Sequence, residues 1–138
     1  MTTIESKIGS ILENEELIYN FFTDFTNFDN LIPADKVENW ESTKDSCSFS
    51  IKEAGHITVN LTEKTPYNFI KISPSGKVPF TFNFYIQLKQ ISENDTKLKL
   101  TIKAELNQMM KMVLKKPLKK GLDDIIDKLG QIPFHQYS

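Results

Sequence analysis

Two histidines, one cysteine and a lysine-rich stretch near the C-terminus are the residues that could carry chemistry in this 138-residue chain. His56 follows Gly55 between two alternating apolar segments. Imidazole titrates near neutrality and could act as a general base; a solvated turn residue fits the same pattern. His135 lies in a tail, and no spacing pairs it with His56. A metal centre needs a cluster of ligands; no such cluster and no cofactor motif is present, so neither metal nor cofactor is expected. Cys47 shares the apolar parity of Phe49 and Ile51. It reads as a buried, inert thiol, because a nucleophile would need a neighbouring base or cation to lower its pKa. Glu105 shares the outward parity of Lys97, Lys99 and Lys103, which suits a cross-strand charge partner better than a general acid. Tyr67 and Tyr85 carry hydroxyls, but parity turns Tyr85 to the outer face. No catalytic constellation assembles from these groups.

The lysines are the remaining feature. Lys111, Lys115, Lys116, Lys119 and Lys120 precede Asp123, Asp124 and Asp127 on one amphipathic stretch. A solvated face with ion pairs is one reading. The sharper one is contact with an anionic headgroup through Lys115 and Lys116, beside an adaptable wall of Met109, Met110 and Met112. All 17 basic residues are lysines. Without arginine the chain lacks the usual reader of base edges and phosphate forks, so no nucleic-acid partner is expected.

The elements that must position these groups follow from periodicity. Ile4 to Leu12 reads as a first strand. Asn14 caps a helix: Glu15 and Glu16 fill its first turn, and Leu17, Ile18, Phe21, Phe22 and Phe25 recur at helical spacing. Phe28, Leu31 and Ile32 suggest a second helical turn ended by Pro33. Strands follow at Val37–Ser42, around Cys47, Phe49 and Ile51, around Ile57, Val59 and Leu61, and at Ile70 and Ile72. Trp40 lies on the opposite parity from Val37, which calls for a bulge or for two different faces. The last two strands are the clearest. Phe80, Phe82, Phe84, Ile86 and Leu88 alternate with polar residues, as do Leu98, Leu100, Ile102, Ala104 and Leu106 after a turn at Glu93-Asn94-Asp95. That is an antiparallel sheet with one face in water. Gln108 to Leu129 is helical, but its apolar residues fall on two stripes that change at Pro117. A kink or break is therefore predicted near Lys116-Pro117.

Length and composition suit one α+β domain, 1–138, with one core. Six or seven strands at about 4.8 Å make a sheet roughly 30 Å wide, whereas one helix is only about 10–12 Å across. The sheet must curl, and the space is either filled by side chains or left as a cavity suited to an apolar guest. Ten phenylalanines could supply a solid core; alternation alone leaves both open. No apolar run approaches the roughly 18 residues of a membrane span, and the first residues lack a signal-peptide core. A cytoplasmic location is the expectation.

The chain resembles the START-like (SRPBCC, helix-grip) superfamily. The likeness spans nearly the whole sequence and rests on Ile4–Leu12, the Phe-rich helix Glu15–Phe25, the strands ending in Phe80-Thr-Phe-Asn-Phe and Leu98–Leu106, and the helix from Gln108. Val37-Glu-Asn-Trp40, Asp45-Ser-Cys-Ser-Phe49 and Lys116-Pro-Leu118 also look like a small stand-alone bacterial group. The resemblance implies a seven-stranded curved antiparallel sheet wrapped around the C-terminal helix, two short helices after the first strand, and a ligand cavity between sheet and helix. The implied activity is binding, as carrier or sensor, of a small hydrophobic or lipid-like ligand. The expected wall is Phe49, Val59, Phe82, Phe84, Ile102, Met109 and Val113, with headgroup contact from Lys115 and Lys116. A cyclase- or hydratase-like enzyme in the same pocket and a protein-interaction module are the alternatives; no catalytic set of the superfamily maps onto this chain. A transient contact with an anionic membrane surface is compatible with the lysines. Nothing in the sequence sets an oligomeric state.

Overall fold

The computed structural model describes residues 1–29, 37–51, 55–76, 78, 80–132 and 134. Eight strands form one antiparallel sheet: β1 (Thr2–Glu5), β2 (Gly9–Ile11), β3 (Val37–Ser42), β4 (Ser46–Ile51), β5 (Gly55–Thr65), β6 (Phe69–Ser75), β7 (Phe82–Ser92) and β8 (Asp95–Ala104). The helices are α1 (Glu15–Phe22), a 3₁₀ turn at Phe25–Phe28, and α2 (Gln108–Leu129). The strand order is β1-β8-β7-β6-β5-β4-β3, with β2 also pairing β8. This is the expected α+β helix-grip architecture.

The predicted first strand is divided into two. Ile4 pairs with Ile102 and Gly9 with Leu98 on the same edge of β8. Between them Ser6 is buried; its N–H donates to the Leu100 carbonyl and its Oγ accepts from the Leu100 N–H, at 2.8 and 2.9 Å. The hydroxyl stands in for a backbone acceptor, which frees the next residue to leave the ladder. The Lys7 N–H then donates to Asp123 Oδ1 on α2, at 2.7 Å.

The parity conflict at Trp40 is resolved by a bulge. The β3–β4 register shifts between Glu38 and Glu41, and Asn39 takes a φ of 56°, a left-handed conformation that asparagine tolerates. The second helical turn ends at Phe28; its predicted continuation through Leu31 and Ile32 lies outside the described residues. His56 is the second residue of β5 rather than a loop residue.

The long helix is not broken at Pro117; α2 runs unbroken through it. The buried positions also wind around the helix. Met110, Leu114, Leu118, Leu122 and Ile126 are its half-buried or buried positions at every fourth residue. Steps of four advance about 40° around a helix of 3.6 residues per turn, so the line winds through about 160° from end to end. A helix crossing a twisted sheet meets it along such a winding line.

Packing is uneven along that line. Where α2 ends, Phe21, Phe22, Phe25, Phe28 and Phe134 form a plug, with Phe21 ring centroids 5.5, 5.4 and 5.2 Å from Phe22, Phe28 and Phe134. The edge-to-face geometry of the Phe21–Phe22 and Phe21–Phe134 pairs is favourable for aromatic rings. Leu122, Ile126 and Leu129 are buried at this end, with Ile86, Leu88, Leu98 and Leu100 of the sheet. The helical plug thus fills the width that one helix could not cover.

Candidate functional site

The other end of the same interior is less uniformly buried. Along β7, Ile86 and Leu88 are buried while Phe82 and Phe84 are half-buried; along β8, Leu98 and Leu100 are buried while Ile102 is half-buried. Register aligns these residues into rows. Ile4, Ile102, Phe84, Ile72 and Leu61 form one row across β1, β8, β7, β6 and β5, and Ala104 and Phe82 begin the next. Phe49 on β4 is half-buried and stacks on Trp40 at 5.9 Å; Val59, paired with Cys47, is buried. From α2, Met110, Leu114 and Leu118 contribute half-buried side chains. Phe49, Phe82, Phe84, Ile102 and Leu118 pack against the core and remain partly accessible at the end of the sheet near the first half of α2.

Five of the sequence-derived wall residues, Phe49, Val59, Phe82, Phe84 and Ile102, stand on inward parity at this end. Met109 and Val113 do not join them, being largely exposed on the far side of the helix. The winding of the buried line accounts for this: at the start of α2 it passes through Met110 and Leu114. Sequence reasoning placed the stripe from the helix as a whole, whereas the inward direction changes along it.

Lys115 and Lys116 do share a depression. An open groove of about 660 Å³ runs between edge strand β1 and α2, lined by Thr3, Ile4, Glu5, Lys115, Lys116, Lys119, Lys120 and Asp123. Its acids are already engaged. Glu5 accepts from Lys99 Nζ at 2.6 Å, which holds its carboxyl below the usual range. Asp123 is lowered first by the Lys7 backbone N–H, with a further bond from Lys119 at 3.2 Å. Among the described residues Lys115 and Lys116 form no ion pair, which leaves the groove positive.

The other candidate groups resolve as structure. Burial pushes the Cys47 thiol up to about 12, which makes it a poor nucleophile. His56 Nδ1 lies 3.0 Å from Ser50 Oγ, its direct cross-strand partner, and both face outward. His135 lies outside the described residues. Glu105 lies beyond β8 and its N–H donates to the Thr81 carbonyl; the partner of Lys99 is Glu5. Tyr85 faces outward under Lys103, 5.5 Å from Nζ to ring centroid. Among the described residues no three His, Cys, Asp or Glu side chains gather as a metal site, and no helix is long and apolar enough to cross a membrane.

A polar cluster on β3 escaped the sequence reading. Asp29 Oδ1 accepts from Trp40 Nε1 and Ser42 Oγ, both at 2.7 Å. These bonds, Ser42 first, lower the Asp29 carboxyl and tie the 3₁₀ turn to the sheet. Trp40 and Ser42, two residues apart on β3, share a face by strand alternation, but their common acceptor Asp29 lies outside the strand and no spacing signals it.

Solved structures share this arrangement. Norcoclaurine synthase of Thalictrum flavum, a point mutant in complex with a transition-state analogue, superposes with a TM-score of 0.74 at 9% identity, over 99% of this chain and 96% of that one. The chain has a START-like fold. A START superfamily protein of Mycobacterium smegmatis matches with a TM-score of 0.64 at 12% identity, over 92% and 98% of the two chains. The di-domain ARO/CYC protein BexL matches with a TM-score of 0.72 at 10% identity, over 95% of this chain and 46% of its own length. No protein-family profile and no curated protein sequence matches the chain. At these identities the likeness defines the START-like fold and leaves activity to the site.

Proposed function

We propose that the chain binds a small hydrophobic or lipid-like ligand, as carrier or sensor, in a cleft between the sheet and the first half of α2. The observation that supports this reading is the change from buried Ile86 and Leu100 to half-buried Phe84 and Ile102 along adjacent strands. Apolar side chains left partly accessible at the end of an otherwise packed core are stabilised by an apolar occupant. The wall is Phe49, Val59, Phe82, Phe84 and Ile102 from the sheet, with Met110, Leu114 and Leu118 from α2. Lys115 and Lys116, on the same helical turns as Leu114, offer contact to a carboxylate or phosphate headgroup. Each buried methylene contributes about 0.8 kcal/mol, which puts a short acyl chain in the micromolar range after ordering costs.

Binding is favoured over cyclase- or hydratase-like catalysis because these wall residues are all apolar, and acid–base chemistry needs at least two inward polar groups. A cytoplasmic location accompanies this reading. Titration with a fluorescent fatty-acid analogue, checked by native mass spectrometry, is the test. Saturable binding of one molecule, lost in Phe84→Asp, is the expected result. Failure of any apolar probe to bind, or equal binding by that variant, would overturn the assignment.

A further inference from the structure

The side of α2 turned away from the cleft carries large apolar groups where a solvated face would carry polar ones. Met109, Met112 and Val113 are 75%, 76% and 54% exposed. At 3.6 residues per turn they fall within an arc of about 100° that also contains Lys116 and Lys120, with Lys119 and Lys115 beside it. Leu114 and Leu118 lie roughly opposite, and Met110 about 60° beyond the arc's other edge. No acidic residue occurs between Gln108 and Leu122. Asp123, Asp124 and Asp127 come later and are paired with Lys119, Lys120 and Lys7. Among the described residues, Lys115 and Lys116 form no ion pair, so uncompensated positive charge lies within the apolar patch at Lys116 and to one side of it at Lys115.

We propose that this face docks reversibly on an anionic phospholipid bilayer. Met109, Met112 and Val113 enter the boundary between headgroups and acyl chains, and Lys115 and Lys116 reach lipid phosphates. Exposed apolar side chains bordered by lysines are what an interfacial helix presents: the apolar groups leave water and the flexible ammonium arms stay among the headgroups. A protein partner is the weaker match, because the patch lacks the Trp, Tyr and Arg anchors that dominate protein interfaces. Lys115 and Lys116 are common to the docking face and to the headgroup contact of the proposed ligand site, whereas Met109, Met112 and Val113 belong to the docking face alone, so a change at Met112 separates the two readings.

Co-sedimentation of the full chain with vesicles tests the proposal. Binding is expected to vesicles of phosphatidylglycerol and phosphatidylcholine, not to phosphatidylcholine alone, and to fall as salt rises. The double change Lys115→Glu, Lys116→Glu lowers partitioning at least tenfold, since each lysine near an anionic surface is worth about fivefold. Met112→Asp, which leaves both lysines in place, also lowers it, and in that variant circular dichroism and uptake of the apolar probe stay as in the unmodified chain. Three outcomes overturn the proposal: equal partitioning onto neutral and anionic vesicles, no partitioning, or partitioning unchanged in both variants. Self-association that buries Met112 without vesicle binding assigns the patch to a second copy instead.

Discussion

Gly9 sets how closely α2 approaches the sheet, and its replacement by alanine is a sharp test of the packing described above. A Cβ at Gly9 would lie 2.5 Å from Ile126 Cγ2. That atom is a branch at Cβ on a helical residue, where χ1 has essentially one preferred setting, so it cannot swing aside as the tip of a lysine could. Two effects compete. Gly9 is not among the residues with positive φ, so alanine fits the backbone and should stabilise by about 0.4–1 kcal/mol through the unfolded chain. Overpacking should cost about 1–3 kcal/mol. The clash wins, and Gly9→Ala is expected to be destabilised by about 0.5–2 kcal/mol, or several degrees in Tm for a domain of this size. Ile126→Leu moves the branch from Cβ to Cγ at constant volume and should cost less than about 1.5 kcal/mol alone. In that background Gly9→Ala should become neutral or stabilising, a coupling of about 1 kcal/mol or more. Urea denaturation of the four proteins, followed by circular dichroism, measures it. A stable Gly9→Ala protein, or strict additivity with Ile126→Leu, would refute the close contact between β2 and α2.

Three further outcomes follow from the same packing. Phe21→Ala, in the aromatic plug, should cost about 3–5 kcal/mol in denaturant titration, whereas Phe84→Ala at the less buried end should cost clearly less yet weaken the apolar probe more; equal stability losses would contradict the packing gradient. With its thiol pushed up to about 12, Cys47 should react with a thiol reagent at neutral pH only as fast as the fold opens, and rapid labelling of the native protein would contradict its burial. The Asp29 carboxyl is lowered in the fold by Ser42 and Trp40, so its contribution is present above the ordinary value of 3.8 and lost as pH falls through the lower folded value. Trp40, the only tryptophan, should report this as an emission change with an acidic midpoint below 3.8 that is absent in Asp29→Asn; a midpoint at or above 3.8 would contradict the bonds.

Much of the architecture was legible in residue order. Period-two alternation at Phe82–Leu88 and Leu98–Ala104 determines which side chains share a face, because successive strand side chains point to opposite sides. The cap at Asn14, whose side chain accepts from the Leu17 N–H at 2.9 Å, was visible for the same reason: capping is local. That Phe49, Val59, Phe82, Phe84 and Ile102 share the inner face of the sheet was readable from parity alone. Tertiary structure decided the rest, where one residue's role depends on a partner far along the chain. Ser6 interrupts the first strand only because Leu100 lies opposite, and Phe134 completes a plug begun more than a hundred positions earlier by Phe21. Met109 and Val113 turn outward because the line of contact between a helix and a twisted sheet rotates along the helix. Local periodicity can say that a helix has a buried side, but only the surface it meets determines where that side points at each turn.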